Sequence, residues 1–314
     1  WTMPAQGWER RALVAVLIVH VILGAYYSVT IPAWEANDEI GHFAFVRYLA
    51  TEHRLPPPGT RLVEENDESR QPPLYYILAA LPVALVNMND GVEPHINPHM
   101  FWGPSKSGAN RVIHDCACEN WPYRGTILAL HVARMVSVLI GAVALVLTLC
   151  AANQAFPDQP WIRWGAVLTL LLWPQFRFAT AIVNNDIMAA TAGAGLTWTL
   201  LRLATAPRPV DVLALGGAIG LALLSKNSTL ALLPVTSLVL LRALLVASPA
   251  TRRELILCTL GASLLGLAAV GWWYLRNLGA GVGMFGGAYS LRAVLQILTY
   301  GLADEGTSGL TRLQ

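Results

Sequence analysis

The sequence predicts an all-α protein embedded in a membrane, with about seven transmembrane helices. Of its 314 residues, 55% are hydrophobic and only 13% are charged, whereas soluble domains carry about 25% charged residues. The mean hydropathy is +0.49. Because lipid offers no hydrogen-bond partners to the backbone, long apolar runs in such a chain are expected to be helices.

The predicted spans are apolar runs of about 20 residues, the length that crosses a bilayer. They occupy 12–31, 125–152, 161–183, 187–204, 211–226, 228–247 and 254–275. The segment 73–86 is also apolar, but it is short and contains Pro82. We expect it to be a helix in the membrane interface and not a span.

The distribution of arginine predicts the orientation. If the N-terminus is cytoplasmic, eight arginines near span ends fall on the cytoplasmic side, as the positive-inside rule requires. These are Arg10, Arg11, Arg163, Arg202, Arg208, Arg242, Arg252 and Arg253. The loop 32–124 then lies outside, together with the turns at Asn184 and Lys226 and the chain after Arg276.

The loop 32–124 is too long for a simple connector, and such loops are usually functional or disordered. Within 39–51 an apolar side chain recurs at every third position, at Ile40, Phe43, Val46 and Leu49. This pattern predicts a helix that lies with one broad apolar face on the outer membrane surface. Asn37 or Asp38 would be its N-cap. The acidic run 64–70 is expected to loop into water.

Ionisable and polar residues gather on the predicted outer side. Asp38, Glu39 and His42 follow the first span, Asn185 and Asp186 close the third, and Lys226 and Arg276 lie at later outer ends. Arg134 and Arg177 lie about 10–15 Å inside the outer ends, at 1.5 Å per residue. Charged groups at membrane depth usually face a cavity or each other.

Two interpretations of this gathering remain open. An anionic ligand, such as a lipid phosphate, would account for the cations, and so would ion pairs with Asp38, Glu39 or Asp186. Asp38 could cap the helix, or it could be a general base, because burial beside a second acid raises the pKa of a carboxyl group.

The other residues have similar alternatives. Glu39 could interact with the helix dipole, and Asn184, Asn185 and Asp186 could cap the fourth span. Lys226 and Arg276 could extend to the headgroups. Arg134 and Arg177 could form buried ion pairs.

Cysteine and histidine give a weak metal signal. The segment 114–120, "HDCACEN", with His95 and His99 upstream, contains residue types that bind zinc. Cys-x-Cys is not the usual spacing, and an oxidised Cys116–Cys118 pair or solvated side chains are alternatives. No metal ligand is assigned, and dependence on a divalent metal is left open. The net charge of +2, without a basic stripe, argues against a nucleic-acid partner.

Several motifs together resemble the GT-C glycosyltransferases. They are "NDEIGH" after one apolar helix, "QPPLYY" (71–76), "NND" (184–186), "LLSKNSTLALLP" (223–234) and "WWYLRN" (272–277). The resemblance covers most of 10–280 and is nearest to the protein O-mannosyltransferase and aminoarabinose-transferase-like branch, including its bacterial members. It implies transfer of a sugar from a polyprenyl-phosphate donor to an acceptor outside the bacterial inner membrane. The implied partners are membrane lipids and the lipid-linked sugar.

The resemblance also implies roles for residues. Asp38 would be the base and Glu39 its partner, while Lys226 and Arg276 would face the phosphate. The candidate substrate-binding residues are His42, Gln71, Tyr75, Tyr76, Arg134, Arg177, Asn185, Asp186, Lys226 and Arg276.

Two departures from the family keep a second function open. Aminoarabinose transferases have lysine where this chain has Gln71, and the family usually continues through more spans. We therefore expect 1–314 to be a single GT-C-like domain, incomplete at its C-terminus. The alternative function is a non-catalytic subunit or scaffold of a larger membrane complex.

Overall fold

The computed structural model describes residues 7–64, 67–98, 110–206 and 208–283. The helices are α1 (Gly7–Thr30), α2 (Glu39–Glu52), α3 (Leu74–Val83), α4 (Gly125–Ala155), α5 (Pro160–Leu172), α6 (Pro174–Thr180), α7 (Asp186–Thr205), α8 (Pro209–Ser225), α9 (Leu233–Val246) and α10 (Pro249–Gly279). Short 3₁₀ helices cover Ala117–Glu119 and Asn227–Leu232. The described ranges contain no strand beyond one isolated bridge between Ile96 and Val112. The all-α fold class is confirmed.

Five helical segments of the described chain are long and apolar enough to cross a membrane. They are Gly7–Thr30, Gly125–Ala155, Asp186–Thr205, Asn227–Val246 and Pro249–Gly279, and they correspond to five of the seven predicted spans. The predicted span 211–226 forms α8, which is apolar but has only 17 residues. The chain is therefore a multi-pass membrane protein with additional shorter apolar helices.

The predicted span 161–183 is wrong as a continuous helix. It is broken at Trp173, whose backbone is extended (φ −66°, ψ 118°), so that α5 ends before Pro174 and α6 begins there. Proline has no amide hydrogen, clashes with the carbonyl four residues earlier and disfavours helical geometry at the preceding residue. The non-helical segment that follows α6, residues 181–185, is buried.

Helix α4 lies at the centre of the bundle and packs against α1, α3, α5 and α7. Its approach to α1 is close, since a Cβ at Gly24 would lie 2.8 Å from the side chain of Val138. A second apolar cluster is formed mainly by α7, α8, α9 and α10. The chain thus folds around α4 on one side and around α8 on the other.

A buried ion pair fixes α4 to the start of α2. Arg134 and Glu39 are both fully buried, and the guanidinium Nε and Nη2 donate to the two carboxylate oxygens at 2.8 and 2.6 Å. The same guanidinium donates to the backbone carbonyls of Ser28, Ile31 and Pro32. The backbone amide of Val183 also donates to Glu39, at 2.9 Å. The expectation of a buried ion pair is confirmed for Arg134.

Helix α2 is confirmed within one residue, and it is more buried than a single apolar face requires. Nine of its 14 residues are buried, including Gly41, His42 and Phe45 as well as the predicted apolar positions. It packs against α3, where the rings of Phe45 and Tyr76 stack with centroids 4.3 Å apart. Loop residues pack against the same apolar cluster and cover more of the helix. The period-three pattern could not reveal these additional contacts.

We predict that Glu39→Gln strongly destabilises the protein. The substitution leaves Arg134 buried without its counter-charge, and breaking a buried pair from one side costs about 3–5 kcal/mol. The measurement is the unfolding midpoint of the purified protein in detergent.

The matched control is Glu93→Gln. Glu93 pairs with Arg47 at 2.6 Å, but its side chain is 60% exposed, and exposed pairs contribute less than about 1 kcal/mol. Equal shifts of the midpoint in the two variants would contradict the role of the buried pair.

Candidate active site

Nine polar residues come together near the ends of α1, α6 and α8 and the starts of α2, α3 and α7. We call this group the polar cluster. It consists of Asp38, His42, Asp67, Glu68, Gln71, Tyr76, Asn185, Asp186 and Lys226, which are linked by hydrogen bonds or by the effect of their charges on one another. Seven of the nine were predicted from the sequence, and Asp67 and Glu68 were not.

Asp38 occupies the N-cap position of α2, but its side chain does not cap the helix. Its backbone is left-handed (φ 58°), a conformation that aspartate tolerates better than most residues but that is uncommon outside glycine. One carboxylate oxygen accepts from Asn37 Nδ2 at 3.0 Å. The side chain is half-buried, and its carboxylate is not used by the backbone of α2. The capping alternative for the Asp38 side chain is therefore wrong.

Residues 67–70 of the acidic run 64–70 do not loop into water, contrary to our expectation for the whole run, and residues 65 and 66 lie outside the described residues. Asp67 Oδ1 accepts from the backbone amide of Leu62 at 2.8 Å. Ser69 is buried and donates to Asp67 Oδ2 at 2.7 Å and to the carbonyl of Thr60 at 2.6 Å. These bonds fold residues 67–69 back onto residues 60–62 of the same loop, and Glu68 is half-buried within the polar cluster.

Burial raises the pKa of Glu68 to about 7. A hydrogen bond with the Gln71 side chain and the charge of Lys226 oppose this rise, while the charge of Asp38 reinforces it. A carboxyl group with such a pKa can accept or donate a proton near neutral pH. In the sequence, the only sign of this role was that Glu68 lies four residues before Pro72. The polarity of the surrounding run had instead indicated exposure to solvent.

His42 and Tyr76 form a buried, uncharged pair. His42 Nδ1 lies 2.8 Å from the Tyr76 hydroxyl, and the two rings stack. Burial, with a contribution from the charge of Lys226, lowers the pKa of His42 to about 3. Burial also raises the pKa of Tyr76 well above its usual value. At neutral pH this pair can orient a ligand by hydrogen bonding without adding charge.

The segment before α7 connects the cluster to three helices. Asn184 Oδ1 accepts from the first two backbone amides of α7, at 2.9 and 3.2 Å, and so caps that helix. Asn185 is fully buried, and its Nδ2 lies 3.5 Å from Gln71 Oε1 and 3.3 Å from the carbonyl of Ser225. The Tyr75 hydroxyl accepts from the Asn184 amide at 3.2 Å and contacts Ser137 of α4 at 2.7 Å. Tyr75, a candidate substrate-binding residue, is fully buried and supports the cluster through these two contacts.

The four cations predicted to face the site are not equivalent. Lys226 donates to Asp186, and its charge acts on both His42 and Glu68, which places it in the polar cluster. Arg134 is engaged in the buried pair with Glu39.

The other two cations contact groups outside the cluster. Arg276 donates to the carbonyl of Pro56, and its guanidinium lies 4.9 Å from the centre of a Trp273 ring. Arg177 is buried, 6.0 Å from the ring of Tyr27. In the described part of the chain its two terminal nitrogens have no hydrogen-bond partner, so its expected buried ion pair is not found there.

The segment 114–120 contains an oxidised cysteine pair. Cys116 and Cys118 form a disulfide, so their thiolates cannot serve as metal ligands in this state. Among the residues that the structure describes, no group of three or more histidine, cysteine or acidic side chains is arranged to hold a metal ion. His95 lies 3.6 Å from Asp115, and His99 lies outside the described residues.

The comparisons with known proteins agree with the geometry. Residues 129–274 match the family of dolichyl-phosphate-mannose-protein mannosyltransferases, slightly less than half of the chain. The matched region runs from α4 to α10 and includes Asn185, Asp186 and Lys226. No curated protein and no solved structure matches the chain. The similarity supports a membrane glycosyltransferase of the GT-C type without distinguishing among its branches.

We predict that Glu68→Gln flattens the pH dependence of stability. Because the pKa of Glu68 is raised from 4.5 to about 7, the folded protein binds this proton more tightly than the unfolded chain. Its stabilising contribution is therefore complete below pH 4.5 and is lost as the pH rises through about 7. The melting temperature of the variant should fall less than that of the wild type between about pH 5 and 8.

The same Glu93→Gln control should retain the slope of the wild type, since Glu93 is exposed and lies outside the cluster. Parallel curves for wild type and Glu68→Gln would contradict the buried environment of Glu68.

Proposed function

We propose that this protein transfers a sugar from a polyprenyl-phosphate donor to an acceptor hydroxyl on the outer face of a bacterial inner membrane. The observation that carries the proposal is the polar cluster, in which the charge of Asp38 acts on the half-buried Glu68, beside a membrane-spanning bundle of GT-C type. Two neighbouring carboxyl groups in different environments are a common basis for acid and base assignments.

Asp38 is the general base in this proposal. The acceptor oxygen attacks the anomeric carbon in a single displacement, its proton passes to the Asp38 carboxylate, and the bond from the sugar to the phosphate oxygen breaks. The pKa of Glu68 is about 7, and its ionised form can take up the proton afterwards. Positioned general bases of this kind typically contribute about 10²–10⁴-fold in rate.

Glu39 has a positioning role and does not touch substrate. It is fully buried, and both of its carboxylate oxygens already accept hydrogen bonds, from Arg134 and from the amide of Val183. It acts by fixing the turn that precedes it, and with that turn the backbone of Asp38. This differs from the direct partnership that the family resemblance implied.

Lys226 is the group that we assign to the leaving phosphate. It is the cation placed in the cluster, and an ammonium near a low-dielectric wall stabilises the negative charge that develops as the phosphate departs. Its present partner, Asp186, is 61% exposed and can turn toward water when the phosphate binds. Gln71 contributes a neutral amide where a lysine would add a second charge.

The opposite end of the bundle supports the proposed orientation. There Arg163 pairs with Glu9 at 2.7 Å and Arg202 pairs with Asp211 at 2.7 Å. By the positive-inside rule this arginine-rich end is cytoplasmic, so the polar cluster faces outside.

We predict that Asp38→Asn lowers the turnover of polyprenyl-phosphate mannose, or of another accepted polyprenyl-phosphate sugar, by at least about 100-fold. The amide keeps the size of the side chain but cannot accept the acceptor proton. The measurement is release of polyprenyl phosphate by protein reconstituted in lipid, with the melting temperature recorded in parallel.

Asp158→Asn is the matched control. Asp158 is exposed in the turn between α4 and α5, so this variant should retain the activity of the wild type. Equal turnover by Asp38→Asn and wild type would exclude Asp38 as the base. Absence of turnover with every donor, combined with stoichiometric co-purification of other membrane subunits, would favour the scaffold alternative.

A further inference from the structure

The turn formed by residues 31–38, which we call the site turn, is held on a second side by Glu35. Glu35 Oε2 accepts from the backbone amide of Arg111 at 3.0 Å, and Oε1 accepts from the amide of Val112 at 3.0 Å. His114 Nε2 lies 2.8 Å from the same Oε1. The site turn that carries Asp38 is thus tied to the segment 111–114.

His114 connects Glu35 to the cysteine pair. Its other ring nitrogen, Nδ1, lies 2.7 Å from Glu119 Oε2. Glu119 ends the 3₁₀ helix that begins after Cys116, and the disulfide Cys116–Cys118 closes that same turn. The backbone amide of Cys118 also donates to Cys116 Sγ at 3.1 Å. A continuous chain of contacts therefore runs from the disulfide to the site turn.

The two carboxylates favour the charged form of His114. Partial burial alone would lower the pKa of His114, but the hydrogen bonds and charges of Glu35 and Glu119 outweigh it, so the pKa is raised. The bridge from Glu119 through His114 to Glu35 thus depends on both acids being in place. Displacing Glu119 weakens the hold on Glu35.

The disulfide is accessible, and the segment around it has room to move. Cys116 is exposed to solvent. A cavity of about 340 Å³ lies on one side and is lined in part by His114, Glu119 and Tyr123. A second cavity, of about 170 Å³, is lined in part by Trp34 and Cys116. A thiol reagent can therefore reach the sulfur, and the freed turn has adjacent space.

We propose that Cys116–Cys118 is a thiol-exchange site whose redox state sets how firmly the site turn is held. Only the consequence for catalysis through Asp38 rests on the proposed function. The co-reactant is a dithiol, either a reductant protein with a paired-cysteine site or a small dithiol.

The exchange proceeds in two steps. A thiolate of the dithiol attacks the exposed Cys116 Sγ, and the bond to Cys118 breaks with its electron pair leaving on Cys118 Sγ. The second thiol of the dithiol then displaces Cys116. The dithiol is oxidised to its disulfide, and the chain gains two electrons and two protons as two thiols. With the ring open, Glu119 is no longer fixed against His114.

The experiment measures hydrogen exchange at the backbone amides of Arg111 and Val112, which donate to Glu35. Purified protein carrying Cys150→Ser and Cys258→Ser, which removes the two membrane-embedded thiols, is compared in oxidised and dithiothreitol-reduced states. We expect exchange at these amides to accelerate about 2- to 10-fold on reduction, the change that follows the weakening of one hydrogen bond. Reoxidation should restore the slower exchange.

Two variants test the path of the effect. Cys116→Ser with Cys118→Ser should show the fast exchange under both conditions. Glu119→Gln should accelerate exchange in the oxidised state and reduce the further effect of dithiothreitol. Alkylation is used to show that both cysteines are reduced. Unchanged exchange at Arg111 and Val112 in that reduced protein would overturn the proposal. This comparison uses protein without substitutions in residues 111–119, so it does not depend on the folding of a variant.

Turnover is measured separately in the two redox states. Fast exchange with unchanged turnover would show that the redox state of the cysteines changes the structure of the site turn but does not regulate activity. Lack of turnover in both states would count against the proposed transferase activity. The hydrogen-exchange result would still test the thiol-exchange proposal by itself.

Discussion

The ion pair between Arg134 and Glu39 is the contact on which the arrangement of the site depends. An arginine in the first half of a membrane helix is costly unless its charge is matched. Here the match comes from α2, and three backbone carbonyls around the end of α1 complete the set of acceptors. The amide of Val183 shares the same carboxylate. The pair of side chains thus brings α1, α2, α4 and the segment after α6 to a common point.

Three acids within five residues consequently have different roles. Glu39 is turned inward to Arg134, and Glu35 is turned toward 111–114, where His114 and two backbone amides occupy it. Asp38 lies between them in a left-handed conformation, and it contributes no bond to either anchor. The sequence could not assign these roles, because the partners of Glu39 and Glu35 lie 95 and 79 residues away. Local patterns describe the turn but not the residues that hold it.

The fold itself could largely be predicted from the sequence, because membrane spans are set by length and apolar composition. The break at Pro174 follows from the chemistry of proline and could have been predicted as well. The span 161–183 was predicted from hydropathy alone, which does not detect a helix break. The burial of α2 and the position of Glu68 could not be predicted. Both depend on how the loops fold, as when Asp67 accepts a hydrogen bond from the amide of Leu62 within the loop that carries Glu68. Polarity alone had placed that run in water.

Within the proposed function, Glu68 also affects how much negative charge the polar cluster presents to a phosphate. The polar cluster contains three aspartates, Asp38, Asp67 and Asp186, and one lysine, Lys226, so a phosphate that binds Lys226 enters a region with more acidic than basic groups. Burial of Glu68 reduces this excess of negative charge. It raises the pKa of Glu68 to about 7, so a large fraction of this group is uncharged near neutral pH. A protonated Glu68 can also donate a hydrogen bond to a phosphate oxygen. Phosphate binding therefore does not require a lysine at position 71. Protonated Glu68 and the Gln71 amide are both neutral, so they add no repulsion toward the phosphate that a second cation would have to offset.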